Sequence, residues 1–315
     1  MQWNDEQARF IVEHTQPQPP DIEVAKRIIV AYLADLPPLK AESSAMLVTQ
    51  VRMQLARDPG PIPPGWSSIV PALNVVRAEF AAREALQLLH ASGALIAHGP
   101  LSARVEREEQ QFSVQNPTSS GPSNVVLSVP AVYGFYQLAT GFRGAHARLA
   151  DPDVYLSHID LSQLPARARM CIREAINAFR HGLYLSATLN LGTASENLWL
   201  QLARAVAAKT PTNDLQRELA KPYQAIARII ELTWTALQSH LKKGVLDDIV
   251  IPPDQPMFKQ HADRLRYLRN YAAHADAADD EEPRFTYAET GLLLLDAAEY
   301  INQLTRLYAC VEAIP

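Results

Sequence analysis

Near the C-terminus the sequence reads MFKQHADRLRYLRNYAAHAD, and within it Arg269-Asn-Tyr-Ala-Ala-His274 brings three chemically capable residue types together. Arg266, Asn270 and His274 are spaced i, i+4, i+8, so a helix aligns them on one face with Arg269 one step to the side, while Leu265, Leu268 and Ala272 form a stripe that can bury. An imidazole titrates near neutrality and can take a proton from a ribose 2′-hydroxyl or give one to a leaving oxygen. A guanidinium offers a planar fork of donors to the charge that builds on a pentacoordinate phosphate. Asn270 can position the scissile phosphate or fix the tautomer of His274. Together these groups suffice to cleave RNA without a metal. The plainer alternative is a solvated helix face with Arg266 and Arg269 paired to Asp263 or to the acidic run Asp279 to Glu282.

An Arg followed by a His after four to six residues also occurs at Arg9/His14 and Arg83/His90. Arg9 is followed by Phe10 and Arg83 by the charged Glu84 rather than an amide, and neither pair has a place on a late helix, so context singles out Arg269 to His274. That context is a run of amphipathic segments after Pro165: Arg167 to His181 ending at Gly182, Tyr184 to Ala208, Tyr223 to Lys243 ending at Gly244, Phe258 to Ala275, and Tyr287 to Ala309. Their 3.6-residue periodicity and Pro/Gly/Asp punctuation predict a helical bundle.

An Arg, a polar residue and a His on the late helix of an all-α bundle resembles the HEPN superfamily (higher eukaryotes and prokaryotes nucleotide-binding). The segment YLSATLNLGTASENLWLQLA is similar to the second helix of bacterial members, including the Glu of its small-x-x-Glu turn, here Glu196. The likeness covers roughly Pro165 to Ala309. It implies a homodimer whose Arg/His helices face one another across a shared cleft, and metal-independent endoribonuclease activity of the kind found in toxins and antiviral-defence effectors. It also implies Arg269 and His274 as the catalytic pair, Asn270 beside them, and Arg266 and Glu196 in support. Some members have lost activity and serve as dimerisation or binding modules, which leaves a regulatory or scaffold protein as the competing expectation.

The first half of the chain reads differently. Asp21 can cap a helix over Ile22 to Leu36, a second helix runs from Ala41 to Arg57, and a third starts at Ser67 or Ser68 and stops at Gly93. A short strand near Ala94 to Ala97 and two more, Phe112 to Gln115 and Asn124 to Pro130, follow. The order resembles a winged-helix domain. Arg77 and Arg83 are offset by Glu79 and Glu84, so a protein-binding role ranks above DNA binding. From about Ala131 a connecting stretch containing Tyr133, Phe135 and Tyr136 leads through TGFRGAHARLADPD, and the expected layout is mainly α: a mixed α/β, winged-helix-like region over 1–140, a connector over 141–164, and a HEPN-like bundle over 165–315.

Composition narrows the remaining classes. The net charge of −5 divides into 12 Lys+Arg against 13 Asp+Glu in residues 1–150 and 17 against 21 in residues 151–315, so neither half binds nucleic acid by bulk charge. Cys171 and Cys310 have no ligand spacing, which fits a reducing cytoplasm. The N-terminal MQWNDEQARF has neither the basic nor the apolar region of a leader, and no membrane span is expected. Phosphate-cradling GxxxxGK[ST] and strand-linked GxGxxG loops are missing, as are GxSxG and HExxH, so no cofactor or metal is expected.

Overall fold

A computed structural model describes residues 5–37, 39–55, 69–101, 107–115, 122–142, 144–209, 213–222, 225–241, 256–273 and 285–314. The chain is mainly helical with small sheets. It divides into two compact units, 1–154 and 155–315.

In the first unit α1 (Asp5–Thr15), α2 (Pro19–Ala34), β1 (Glu42–Ser43), α3 (Ser44–Leu55) and α4 (Val70–Ala91) precede β2 (Leu95–Leu101), β3 (Arg107–Gln115), β4 (Pro122–Pro130) and β5 (Tyr133–Leu138). Helix α2 begins earlier than the sequence suggests. Pro19 and Pro20, whose missing N–H groups cost nothing in a first turn, form its start after Gln18. Asp21 is therefore not the cap; it is the third helical residue, and its carboxylate accepts the Gln18 N–H at 3.0 Å. Helix α4 stops where expected: Gly93 has φ +76°, and the N–H groups of Gly93 and Ala94 donate to the carbonyls of His90 and Leu89 at 2.9 Å each.

The segment after Pro130 corrects the sequence reading. Tyr133–Leu138, expected to be part of a connector, is the central strand of an antiparallel sheet ordered β1-β5-β2, with Ala97 and Glu42 both opposite Tyr136. Strands β3 and β4 form a separate antiparallel ribbon inserted between β2 and β5.

Helix α4 is the core of this unit. Its run of Ala, Leu, Val and Phe residues is apolar on most sides, as a helix enclosed by others must be. Phe10 and Ile11 of α1 pack near Ile69 and Leu73. Phe112, Leu127 and Val129 of the ribbon pack on Val76 and Phe80. Helices α2 and α3 close the remaining faces. After β5 come two 3₁₀ turns, Thr140–Phe142 and Gly144–Leu149, then α5 (Pro152–Leu156). Asp151 and Asp153 grip the buried Lys26 of α2 at 3.2 and 2.8 Å.

The second unit contains α6 (Ala166–Arg180), α7 (Tyr184–Lys209), α8 (Asn213–Leu219), α9 (Ile226–Leu241), α10 (Pro256–Ala273) and α11 (Tyr287–Glu312). The short α8 has too weak an apolar stripe to be legible in the sequence, since only Leu215 and Glu218 of its seven residues are buried. Gly182, at φ +74°, ends α6, and Leu183 donates back to Ala178 at 2.9 Å. Helix α7 is central and packs against α6, α9, α10 and α11. Small residues on α7, among them Ala187, Gly192, Ala194 and Ser195, are buried and let its neighbours approach closely. Trp199 and Tyr300 tie α7 to α11: the indole Nε1–H donates to the Tyr300 hydroxyl at 2.6 Å, and the Ser195 hydroxyl lies 3.0 Å from the same oxygen. Among the described residues no helix is long and apolar enough to cross a membrane.

Candidate functional site

Helices α7 and α10 run antiparallel, since Phe258 at the start of α10 meets Trp199 and Arg269 near its end lies over Gly192. Phe258, Ala262 and Leu265 bury on one side of α10, which leaves Arg266, Arg269 and Asn270 half-buried on another. The hydrophobic period of α10 thus fixes the azimuth of its polar residues.

Arg269 is held from two directions. Its Nη1 donates to Asn270 Oδ1 at 3.0 Å, and its Nε lies 3.7 Å from Glu196 Oε2 of α7. The latter distance makes an ion pair but no hydrogen bond, and neither the Arg269 Nε nor the Glu196 Oε1 has a hydrogen-bond partner although both atoms are buried. Burial pushes the Glu196 carboxyl above the usual carboxylate range; Arg269 first and Arg266 second pull it back without cancelling the shift. Glu196 therefore senses both guanidiniums.

The site consequently brings together Glu196, Arg266, Arg269 and Asn270, four of the five residues singled out in the sequence. The fifth, His274, lies outside the described residues, as does the acidic run Asp279 to Glu282. The alternative pairing with Asp263 is realised only at the margin: Arg266 lies 4.0 Å away, and Lys259 takes that carboxylate at 2.7 Å. Arg269 turns to Glu196 instead, across the helix pair. With the Arg269 side chain 32% exposed and Glu196 14%, the arginine is the partly open member of the pair and the carboxylate its buried backing. Such a partly desolvated cation is suited to receive a phosphate oxygen.

Gly192 went unnoticed in the sequence. A Cβ added there would meet Arg269 Cβ directly, lie 2.9 Å from its Cγ and 3.1 Å from the Leu265 carbonyl oxygen. Its only sequence signal is membership of the small-residue run that ends at Glu196.

Two other features of α10 stand apart from this cluster. His261 stacks on Tyr300, with ring centroids 5.2 Å apart at 22°, and burial lowers its pKa, so it is a core histidine. A cavity of about 180 Å³ lies between Thr188, Arg264, Leu268, Phe285, Thr290 and Leu293. That volume is below the roughly 300–1,000 Å³ of sites for drug-sized ligands. No group of three or more metal-ligating side chains occurs among the described residues.

In the first unit the cations of α4 are engaged. Arg77 faces Asp21 at 3.8 Å; Arg83 pairs with Glu79 at 3.2 Å and donates to the Pro130 carbonyl at 3.2 Å. Of the α4 residues, only Pro71, Leu88 and Ala91 are exposed. No family model, curated protein or solved structure matches the chain.

Proposed function

We propose that this protein is a metal-independent endoribonuclease of the HEPN type, acting as a homodimer through its C-terminal bundle, with a toxin or antiviral-defence role implied by that class. The observation that carries the reading is the Glu196–Arg269–Asn270 cluster: a guanidinium backed by a buried carboxylate and held from the side by an amide, on a side chain that is still partly exposed. In this mechanism His274, the residue following Ala273, removes the proton of a ribose 2′-hydroxyl or protonates the departing 5′-oxygen, the partner copy's His274 supplying the complementary step. The 2′-oxygen bonds to phosphorus as the bond to the 5′-oxygen breaks, leaving a 2′,3′-cyclic phosphate and a 5′-hydroxyl. Arg269 neutralises charge on the non-bridging oxygens, and Arg266 adds a second cation one turn away. Asn270 holds Arg269 or the phosphate in register. No step calls for a cofactor.

The test is incubation of the purified protein with total RNA in excess EDTA, beside His274→Ala and Arg269→Ala. Cleavage by the wild type alone, leaving cyclic-phosphate ends, is the expected result. A stable wild-type dimer that leaves RNA intact, or variants that cut as well as it does, overturns the reading.

A second reading, in which the bundle is a dimerisation or binding module of a regulatory or scaffold protein, draws on the first unit. Its strand order and inserted ribbon resemble a winged helix, but α4, where a DNA-reading helix would stand, is enclosed and its arginines are paired. This favours protein over DNA as the partner of that unit. Retention of salt-sensitive DNA binding by residues 1–154 would reverse that preference.

A further inference from the structure

We infer that Gly192 is a positioning residue for Arg269: the bare backbone of α7 at this point is the surface on which the Arg269 stem lies, and it sets the guanidinium's distance from Glu196. Gly192 is buried in the middle of a 26-residue helix. Glycine is a poor helix former there, since alanine holds a helix better and costs no side-chain entropy. A helix that merely tolerated glycine would gain from the replacement. At 192 the added carbon would instead collide with Arg269 Cβ, crowd Arg269 Cγ at 2.9 Å and press on the Leu265 carbonyl oxygen at 3.1 Å.

None of these neighbours can step aside cheaply. Arg269 Cβ is fixed to the α10 backbone, and Leu265 O is part of that backbone. The strain is relieved only if α10 shifts away from α7 or turns about its axis. Either motion changes the 3.7 Å approach of Arg269 Nε to Glu196 Oε2. It also moves Arg266, one turn earlier on the same helix. Gly192 and Glu196 are four residues apart and so share one face of α7. One face therefore carries both devices that locate Arg269, an absence of side chain beneath its stem and a carboxylate beneath its head.

The activity half of this inference rests on the nuclease reading, whereas the geometric half does not. The experiment has two arms on the full-length chain. In the first, the Arg269 Nε–Hε signal is assigned in a ¹⁵N spectrum by its loss in Arg269→Lys, then followed in Gly192→Ala and in Thr193→Ala, a control on the neighbouring residue. The expected result is that Gly192→Ala moves the signal and Thr193→Ala leaves it in place. A folded Gly192→Ala protein with an unmoved Arg269 signal overturns the inference. In the second arm, RNA cleavage by Gly192→Ala falls about 100-fold, chiefly in kcat, the scale expected of a misplacement of about 1 Å. Undiminished kcat in a variant whose Arg269 has moved overturns the activity half. A wild type that cleaves no RNA defeats the nuclease reading while the spectroscopic arm still decides the role of Gly192. Should Gly192→Ala fail to fold, Gly192→Ala/Arg269→Gly, which removes Cβ and Cγ of the arginine, is expected to fold again; continued unfolding of the double variant overturns the inference.

Discussion

Replacing Glu196 by Gln should weaken the candidate site while leaving the protein as stable as before or slightly more so. At 3.7 Å and an effective dielectric of 20, the gross attraction between the Glu196 carboxylate and the Arg269 guanidinium is about 4 kcal/mol. Against this stands the cost of desolvating the Glu196 carboxylate, several kcal/mol, since Arg269 stays in place in the variant. The raised pKa of Glu196 shows which is larger: burial outweighs the pull of Arg269 and Arg266, so folding favours the protonated carboxyl. The sign follows from proton linkage. A carboxyl whose folded pKa exceeds its unfolded value holds more protons when folded across the interval between the two, so its contribution to stability is largest below the ordinary glutamate range and is lost as pH rises through the raised value. Glu196→Gln removes that slope, and at pH 7 it is expected to leave stability unchanged or slightly raised, because the desolvation cost of the carboxylate goes with it. RNA cleavage, in contrast, should fall, because a neutral amide no longer anchors Arg269. Urea denaturation of the wild type and Glu196→Gln at pH 5, 7 and 8 reads the first effect, and end-mapped cleavage reads the second. If Glu196→Gln lost more than 1 kcal/mol at pH 7, and the wild-type advantage grew with pH, attraction would dominate burial and this reasoning would be refuted.

Two further outcomes test the packing that supports the site and the first unit. Tyr300→Phe deprives the Trp199 indole N–H and the Ser195 hydroxyl of a shared buried partner, so the second unit should lose about 2–4 kcal/mol, seen as an earlier urea midpoint; a midpoint within error of the wild type would show that the network is dispensable. Lys26→Met should cost about 3 kcal/mol by stranding the buried Asp151, with much of the loss recovered in Lys26→Met/Asp151→Asn. Burial lowers the Lys26 pKa, but Asp151 and Asp153 overcome it and raise the value above that of ordinary lysine. The wild type should therefore keep this contribution through neutral pH and shed it only in strongly alkaline solution, as a pH series of urea midpoints would show.

The parts of the molecule legible in the sequence are those fixed by local chemistry. Gly93 and Gly182 mark helix ends because only a residue at ease with positive φ closes those turns. The bundle helices carry long apolar stripes. Strand β5 escaped notice because Tyr133 and Tyr136, three residues apart, both lean toward His90 with ring centroids 5.1 and 6.3 Å away, a spacing that hides a period of two. Helix α1 has only a short apolar stretch around Phe10 and Ile11, too little for a clear periodic signal. Within the site, the placement of Arg266, Arg269 and Asn270 on one side of α10 follows from spacing alone. Their meeting with Glu196 depends on how two helices dock, as does the need for Gly192, and no spacing within one helix encodes either. Similarly, the signs of the charges beside Arg77 and Arg83 can be read directly, whereas the enclosure of α4 by α1 and the ribbon is a long-range event.

The β3–β4 ribbon lies between two strands that pair with each other. Because β2 and β5 close the ladder at its base, with Leu101 opposite Tyr133, the ribbon is an excursion from a completed sheet. Lengthening or shortening it alters mainly the entropy of closing one loop, about 0.6 kcal/mol for a doubling of length. What ties the ribbon to α4 is the patch of Phe112, Leu127 and Val129 on Val76 and Phe80, with the Arg83 bond to the Pro130 carbonyl beside it. The ribbon can thus change in length without disturbing the sheet from which it departs.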